Sequence, residues 1–369
     1  SPEMLFTAPL AGALGFLALW VWQGREALLY GFYGLLAVAV LAKGPTAILL
    51  SALTLAAYCL GVGQWRWLFR VLAPGPLLLF LVLAIPWYVA VYLRHGERFI
   101  EDFILKHHFR RFTTEELAHP GPWWYYLPVL AGLVFPWTAH LALVVANVAA
   151  LGWRGLRKDP RRMFLLAWII PVVIFFSASK AKLPGYVLVT APALAIWIAN
   201  ELAQASPQRI RGVFLAQALL LPAVLVVAEG LPAALAQGVR SARSSLSALE
   251  PDAPLAALVV AGGVVLAWFA WRGRRLGAAV LATALTALAL ARTIALAAPA
   301  VDQLASARPL AQQIRARGIP PSQIALAPNV RRHIEYGLEF YLNHPLERGG
   351  PAPYLVTADG RLERAGARE

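Results

Sequence analysis

Leu72–Tyr92 reads LAPGPLLLFLVLAIPWYVAVY, and Arg94–Pro136 follows as RHGERFIEDFILKHHFRRFTTEELAHPGPWWYYLPVLAGLVFP. The first stretch carries no acid or base over the length that a helix needs to cross bilayer hydrocarbon, about 20 residues. The second opens with the only long polar insertion among the apolar runs. It gathers basic side chains, the adjacent His107 and His108, and a Trp-Trp-Tyr-Tyr run before hydropathy returns at Leu127. A segment of that make-up between two spans belongs at a water–lipid boundary, where cations meet headgroups and amphipathic rings are favoured.

Outward from this pair, apolar runs recur along the chain. Met4–Trp22, Ala27–Ala42, Thr46–Val62, Leu72–Tyr92, Tyr125–Leu151, Met163–Ala178, Gly185–Ala203, Ile210–Glu229, Pro254–Trp271 and Leu276–Ala298 each carry few charges. Inside hydrocarbon a backbone satisfies its own polar groups only as a helix or a closed barrel. These Leu/Ala-rich runs lack the alternation of strands. The expected fold is an all-α polytopic membrane protein with about ten transmembrane helices. Composition agrees: of 369 residues 59% are hydrophobic and 14% charged, against roughly a quarter charged in soluble domains. A net charge of +14 points to nucleic acid or an anionic membrane surface. The basic residues fall in short clusters between apolar runs, which excludes nucleic acid and leaves the lipid bilayer as partner. The single cysteine, Cys59, lies in an apolar run and forms neither an intrachain disulfide nor a cysteine metal site.

Short-loop Lys and Arg set the orientation. Arg154, Arg157, Lys158, Arg161 and Arg162 form the densest cluster; Arg209 with Arg211, Arg272 with Arg274 and Arg275, and Arg66 with Arg70 fall on the same side. That side is expected to be cytoplasmic. The opposite, periplasmic face then holds Glu3, Lys43, the insertion of residues 94–124, Ser177–Pro184 and everything after Pro299. Lys106, Arg110, Arg111, Lys180 and Lys182 stand on the face where basic residues are normally avoided. Two readings follow: anchors on lipid phosphates, or cations converging on a bound phosphate.

After Pro299 the composition changes. Ala305–Gly318 reads as a polar-faced helix, Gln323–Ala327 as a strand, Arg332–Leu342 as a helix and Pro353–Thr357 as a strand. We expect a transmembrane domain over residues 1–299 and a small extracytoplasmic α/β domain over residues 300–369.

Four groups could carry chemistry. In Phe103–Phe112, rings and cations recur at helical spacing, as in an amphipathic helix lying in the interface. Its Arg110 and Arg111 are suited to bidentate phosphate capture. A histidine beside them adds a metal ligand or a donor. The stretch SASKAKLPGY, Ser177–Tyr186, places Lys180 and Lys182 before a proline that can open a helix. Their ammonium groups and the loop amides would face an outer cavity suited to a phosphate. Trp123–Tyr126 with Phe135-Pro136-Trp137 forms either an interfacial belt or rings that stack on a sugar or line a polyprenyl groove. Glu3 stands alone at the outer mouth of the first span. It is either a solvated residue or, with His107 or His108, a ligand to a divalent metal ion.

Ile85-Pro86-Trp87-Tyr88, Lys43-Gly44-Pro45, His107–Phe112, Trp123–Leu130, Pro136-Trp137-Thr138 and Ser179–Tyr186 resemble, in this order of positions apart from Lys43, the dolichyl-phosphate-mannose mannosyltransferase-related family of bacterial membrane glycosyltransferases. The resemblance is narrower still to the aminoarabinose transferase branch that modifies lipid A. It covers most of residues 1–190, with weaker echoes in Ser306–Leu310 and Phe340–Leu342.

That resemblance implies a GT-C fold. It also implies a polyprenyl (undecaprenyl) phosphate sugar as donor, a lipid A-like lipid or a protein as acceptor, and a multi-pass location in the bacterial inner membrane with the site facing the periplasm. By carry-over Arg111 and then Arg110 would bind the carrier phosphate with help from Lys182 and Lys180, Tyr186 would line the cavity, and Glu3 with His108 or His107 would lie near a metal ion or the phosphate. Ser1–Leu5 resembles the family's approach to its fourth helix. The earlier helices, and the Asp-Glu motif that supplies the general base, are therefore expected before Ser1. The rival expectations are a flippase or exporter of lipid-linked sugars and a truncated, inactive relative. Few ionisable residues lie inside the spans, which counts against ion-coupled transport.

Overall fold

The computed structural model describes residues 2–99, 121–180, 182–219, 253–357 and 360–364. The chain divides into two compact units: residues 1–217 with 270–275, and residues 218–269 with 276–369.

The first unit is a helical bundle. Its long helices are α1 (Pro2–Gln23), α2 (Ala27–Lys43), α3 (Thr46–Val62), α4 (Pro74–His95), α5 (Tyr126–Leu133), α6 (Leu141–Lys158), α7 (Pro160–Ala178) and α8 (Ala191–Gln204). A further helix, α9, covers residues 207–219, up to residue 217 in this unit. Among the described residues of the whole chain, five helical stretches are long and apolar enough to cross a membrane: Glu3–Gln23, Pro74–His95, Trp137–Lys158, Pro160–Ala178 and Pro184–Gln204. Ala27–Lys43 and Thr46–Val62 are shorter apolar helices. This is the polytopic membrane fold that the hydropathy predicts.

The bundle core follows from small and aromatic residues at helical spacing. Leu10, Leu14 and Leu17 on α1 are fully buried, one turn apart and on one face. Trp20 meets Trp67 edge-on, with ring centres 4.9 Å apart. Helices α3 and α7 pack closely because Gly61 faces Met163, where a Cβ would stand 2.4 Å from the sulfur. Next to that contact Tyr58 and Phe164 lie 5.5 Å apart.

Helix α7 starts where an Asp-Pro pair dictates. Pro160 has no amide proton to waste in the first turn, and the Asp159 carboxylate caps the amides of Arg161 and Arg162, both at 3.1 Å. Burial alone would push the Asp159 carboxyl up, but these amides and the Arg162 guanidinium, 2.6 Å away, hold it below its ordinary value. Arg162 also donates through Nε to Glu201 at 2.9 Å. Glu201 is almost fully buried and accepts from Trp197 at 3.2 Å and from Asn147 as well. One carboxylate thereby ties α6, α7 and α8 together.

The expectation of a single span over Tyr125–Leu151 is corrected. Helix α5 stops at Leu133, the Phe135–Pro136 peptide is cis, a 3-10 turn covers Trp137–His140, and α6 then runs to Lys158. The cause is local: Pro136 lacks an amide donor and disfavours a helical Phe135. Gly152, at φ 59° and ψ −180°, interrupts α6 once more. The predicted span Ile210–Glu229 begins inside α9, and its remainder lies outside the described residues.

The second unit contains α10 (Ala253–Trp271, up to Phe269 in this unit) and α11 (Arg275–Ala305, from Leu276). Helix α11 runs through Pro299 rather than ending before it. Then follows the α/β part: α12 (Arg308–Ala316), β1 (Ile324–Leu326), α13 (Arg332–Leu342), β2 (Glu347–Arg348), β3 (Tyr354–Val356) and β4 (Leu362–Arg364). The sheet order is β2-β1-β3-β4, parallel except for the antiparallel pair of β3 with β4. Ile314, Leu326, Leu338 and Val356 are fully buried at its centre. All four elements expected from the sequence are present. The missed strands β2 and β4 are very short and charged, so they carry no apolar alternation to read.

Two predictions arise from this packing. His140 is fully buried between Trp137 and Phe214, each ring centre 5.0 Å away, and neither imidazole nitrogen has a partner among the described residues. An unpaired buried polar group costs about 1–3 kcal/mol, so His140→Leu is expected to leave the thermal midpoint in detergent unchanged or raise it. A clear fall would reveal an imidazole partner.

In the α/β part, Arg348 donates to Glu335 at 2.9 Å and to the carbonyls of Pro328 and Val330 at 2.8 and 3.2 Å. The hydrogen bond from Arg348 holds the Glu335 carboxyl below its ordinary value. A depressed carboxyl contributes stability above its unfolded pKa and loses it as pH falls through the folded value. Amide exchange in α13 of the complete chain should therefore lose protection below about pH 4 beyond the intrinsic trend. Glu335→Gln should remove that dependence.

Candidate functional site

Some of the polar residues picked out in the sequence, Glu3, Lys43 and the loop of Lys182 and Tyr186, come together at one end of the bundle. Helix α2 ends at Lys43 because Gly44 takes φ 87°, a conformation natural to glycine. A cation there also suits the helix C-terminus. The Lys43 ammonium lies 4.9 Å from the ring centre of Tyr186 and 5.3 Å from that of Phe6, within cation–π reach of both. Glu3, half-buried at the start of α1, packs on Gly185, where an added Cβ would be 3.3 Å from the Glu3 Cγ. A carboxylate, an ammonium and a phenol ring therefore share one small region.

The loop that delivers Tyr186 is held by a buried cation. After α7 the chain turns extended at Ser179 and again at Leu183, then enters a 3-10 segment, Pro184–Thr190. Lys182 is only 6% exposed, and its ammonium donates to the carbonyls of Ser177 at 2.8 Å and Ser179 at 2.6 Å. The Tyr126 hydroxyl donates to the Leu183 carbonyl at 3.3 Å. Phe176 lies against Tyr186, with ring centres 4.9 Å apart. The end of the insertion reaches the same place: a Cβ on Gly121 would stand 3.1 Å from the Lys182 Cδ.

The Ile85–Tyr88 motif acts from the neighbouring helix. The Tyr88 hydroxyl donates to the Val40 carbonyl at 2.9 Å, supporting the last turn of α2 below Lys43. Trp87 and Tyr88 also pack on Phe99, at 6.1 and 6.2 Å between ring centres.

Of the residues singled out in the sequence, Glu3, Lys182 and Tyr186 are thus brought together. Lys180 is exposed on the same loop. The expectation that both loop lysines face an outer cavity is corrected: Lys182 turns inward to carbonyls that the end of α7 leaves without helical partners. Arg110, Arg111, His107 and His108 lie outside the described residues, as does the amphipathic helix expected around them. Among the described residues no group of three or more His, Cys, Asp or Glu is placed to hold a metal ion. Within the aromatic run the reading divides. Trp123 and Trp124 are exposed like a belt, whereas Tyr126 is fully buried beneath the site. Lys43 is the residue that sequence reasoning missed. The Lys43-Gly44-Pro45 signal was visible, but nothing along the chain indicated that Lys43 would meet Tyr186.

No family model matches the chain. Over 166 residues it is 34% identical to the undecaprenyl phosphate-α-4-amino-4-deoxy-L-arabinose arabinosyl transferase of Pseudomonas aeruginosa, a match covering 44% of this chain and 29% of that protein. The transferase of the same name from Serratia proteamaculans is 36% identical over 126 residues, 34% of this chain and 22% of its own length. Among solved structures, ArnT from Cupriavidus metallidurans bound to undecaprenyl phosphate superposes with a TM-score of 0.73 at 26% identity, over 95% of this chain and 63% of that one. The apo form of that protein, at 24% identity and a TM-score of 0.69, shows the same fold. The matched stretch is less than a third of each of these two curated relatives. The resemblance to the GT-C aminoarabinose transferase branch is borne out.

The two carbonyl contacts assign Lys182 a structural duty that can be measured. Lys182→Met is expected to lower the stability of the chain in detergent by about 2–3 kcal/mol, the cost of losing charge-assisted hydrogen bonds. An unchanged thermal midpoint would instead release the ammonium for a ligand.

Proposed function

We propose that this chain forms part of a glycosyltransferase that moves a sugar from a polyprenyl (undecaprenyl) phosphate donor to a lipid A-like lipid or a protein acceptor. The acceptor and the site lie at the periplasmic face of the bacterial inner membrane. The observation that carries this reading is the meeting of Lys43, Tyr186 and Glu3 at one end of a bundle that shares the fold of ArnT bound to undecaprenyl phosphate.

The chemistry asked of such a site is charge stabilisation. When the glycosidic C–O bond to the phosphate breaks, the leaving phosphate gains negative charge, and fixed cations in a site shielded from water lower the cost. Arg111 and Arg110 are assigned to the phosphate, together with Lys180 and Lys43. Lys182 shapes the loop and offers its remaining donor. Tyr186 supplies a hydroxyl and a ring held against Lys43. Glu3, with His108 or His107, would hold a divalent metal ion near the same phosphate. Glu3 is a hard oxygen ligand and imidazole a common partner, a donor set compatible with several divalent ions.

In the complete protein, reconstituted with a polyprenyl-phosphate sugar, Arg111→Ala is expected to cut transfer by about a hundredfold or more. Lys43→Met should also reduce it, whereas Glu115→Ala should not. Full activity of the Arg111 variant would remove the phosphate role and this reading with it.

A further inference from the structure

The other end of α7 carries a second polar site that the transferase reading does not use. Arg162 and Ser179 are 17 residues apart on the numbering, or about 25 Å along a helix. A cavity of about 480 Å³ opens beside Arg162, walled on one side by Leu143 and Leu151 of α6 and on the other by Glu201, Ser206 and Arg209.

The polar side is prepared for an anion. Glu201 accepts from Arg162, Trp197 and Asn147, so its charge and lone pairs are committed and it offers little to a cation. Arg162 is held by Asp159, Glu201 and Gln204, the last at 3.1 Å. Arg209 differs: among the described residues its guanidinium has no hydrogen bond or ion pair. It is exposed at the rim. The Ser206 hydroxyl, which accepts from the Arg209 amide at 3.4 Å, keeps its own proton for a ligand. An uncommitted guanidinium beside a rigid one and a hydroxyl matches the oxygens of a phosphate.

The apolar side points to a lipid. Of the most apolar stretch in the span Trp137–Lys158, which provides Leu143 and Leu151, only 17% is buried within the protein, which leaves an apolar face for acyl chains. The cavity therefore opens next to acyl chains at the membrane face that also carries Arg154, Arg157 and Lys158. We propose that it seats the phosphate of an anionic phospholipid headgroup, with Arg209 as the principal contact and Leu143 and Leu151 against the acyl chains.

Retention of dioleoyl phosphatidylglycerol by the complete purified chain, counted by native mass spectrometry, tests the assignment. Arg209→Gln is expected to weaken retention about tenfold, as for one charge-assisted contact. Arg154→Gln, on the same face but outside the cavity, should leave it unchanged. Because the Arg209 guanidinium holds no other described residue, the thermal midpoint should stay with the parent. Equal retention by the Arg209 variant overturns the proposal. So does an equal loss in the Arg154 variant, which would mean a general attraction of the face. Displacement of the lipid by millimolar inorganic phosphate would assign the seat to a soluble anion and overturn the lipid reading; no displacement supports it.

Discussion

The two hydrogen bonds from Lys182 to the carbonyls of Ser177 and Ser179 are the contacts on which the candidate site rests. Between two membrane helices the backbone leaves its helical ladder, and each freed group near hydrocarbon needs a partner. A flexible ammonium with three donors can serve two carbonyls at once. Tyr126 serves Leu183, and Trp168 serves Val189 at 3.1 Å further along. The 3-10 segment Pro184–Thr190 thus has a fixed start, and with it Gly185 meets Glu3 and Tyr186 meets Lys43.

Helix α7 is pinned at both ends by polar nodes of different kinds. At its start, Asp159, Arg162 and Glu201 form a network shared with α6 and α8. At its end, a buried lysine serves only backbone. Between them the packing is aromatic and aliphatic, as with Phe164 and Trp168. A buried ion pair contributes little net stability over an apolar contact, but leaving one partner alone is costly. The network joins three helices at one carboxylate, and removing one partner would leave a buried charge uncompensated. That role accounts for a carboxylate on α8 whose neighbours in the sequence, Asn200 and Leu202, gave no sign of it.

The similarity to ArnT over nearly the whole chain gives these nodes a common setting. The cluster of Lys43, Tyr186 and Glu3 sits in a fold shared with ArnT from Cupriavidus metallidurans, which was solved bound to undecaprenyl phosphate. The node at the start of α7 stands apart from it by the length of the helix. The same basic-rich composition therefore serves two ends of the bundle through different partners: rings and backbone carbonyls at one end, carboxylates and a lipid-facing cavity at the other.

Hydropathy and charge spacing alone determined the membrane class, most helix positions and the α/β character of the C-terminal part. These depend on interactions local in the chain: desolvation of each segment and the hydrogen bonds within it. The motifs in Lys43–Pro45, Ile85–Tyr88 and Ser177–Tyr186 were legible as signals, and so was the transferase resemblance. Only the tertiary structure decided that Lys182 turns inward, that Lys43 rather than Lys182 meets Tyr186, that Tyr125–Leu151 breaks at Pro136, and that Glu201 binds three helices. Each of these outcomes depends on which groups lie across a helix interface, and a side chain's partner there comes from packing between segments far apart in the chain.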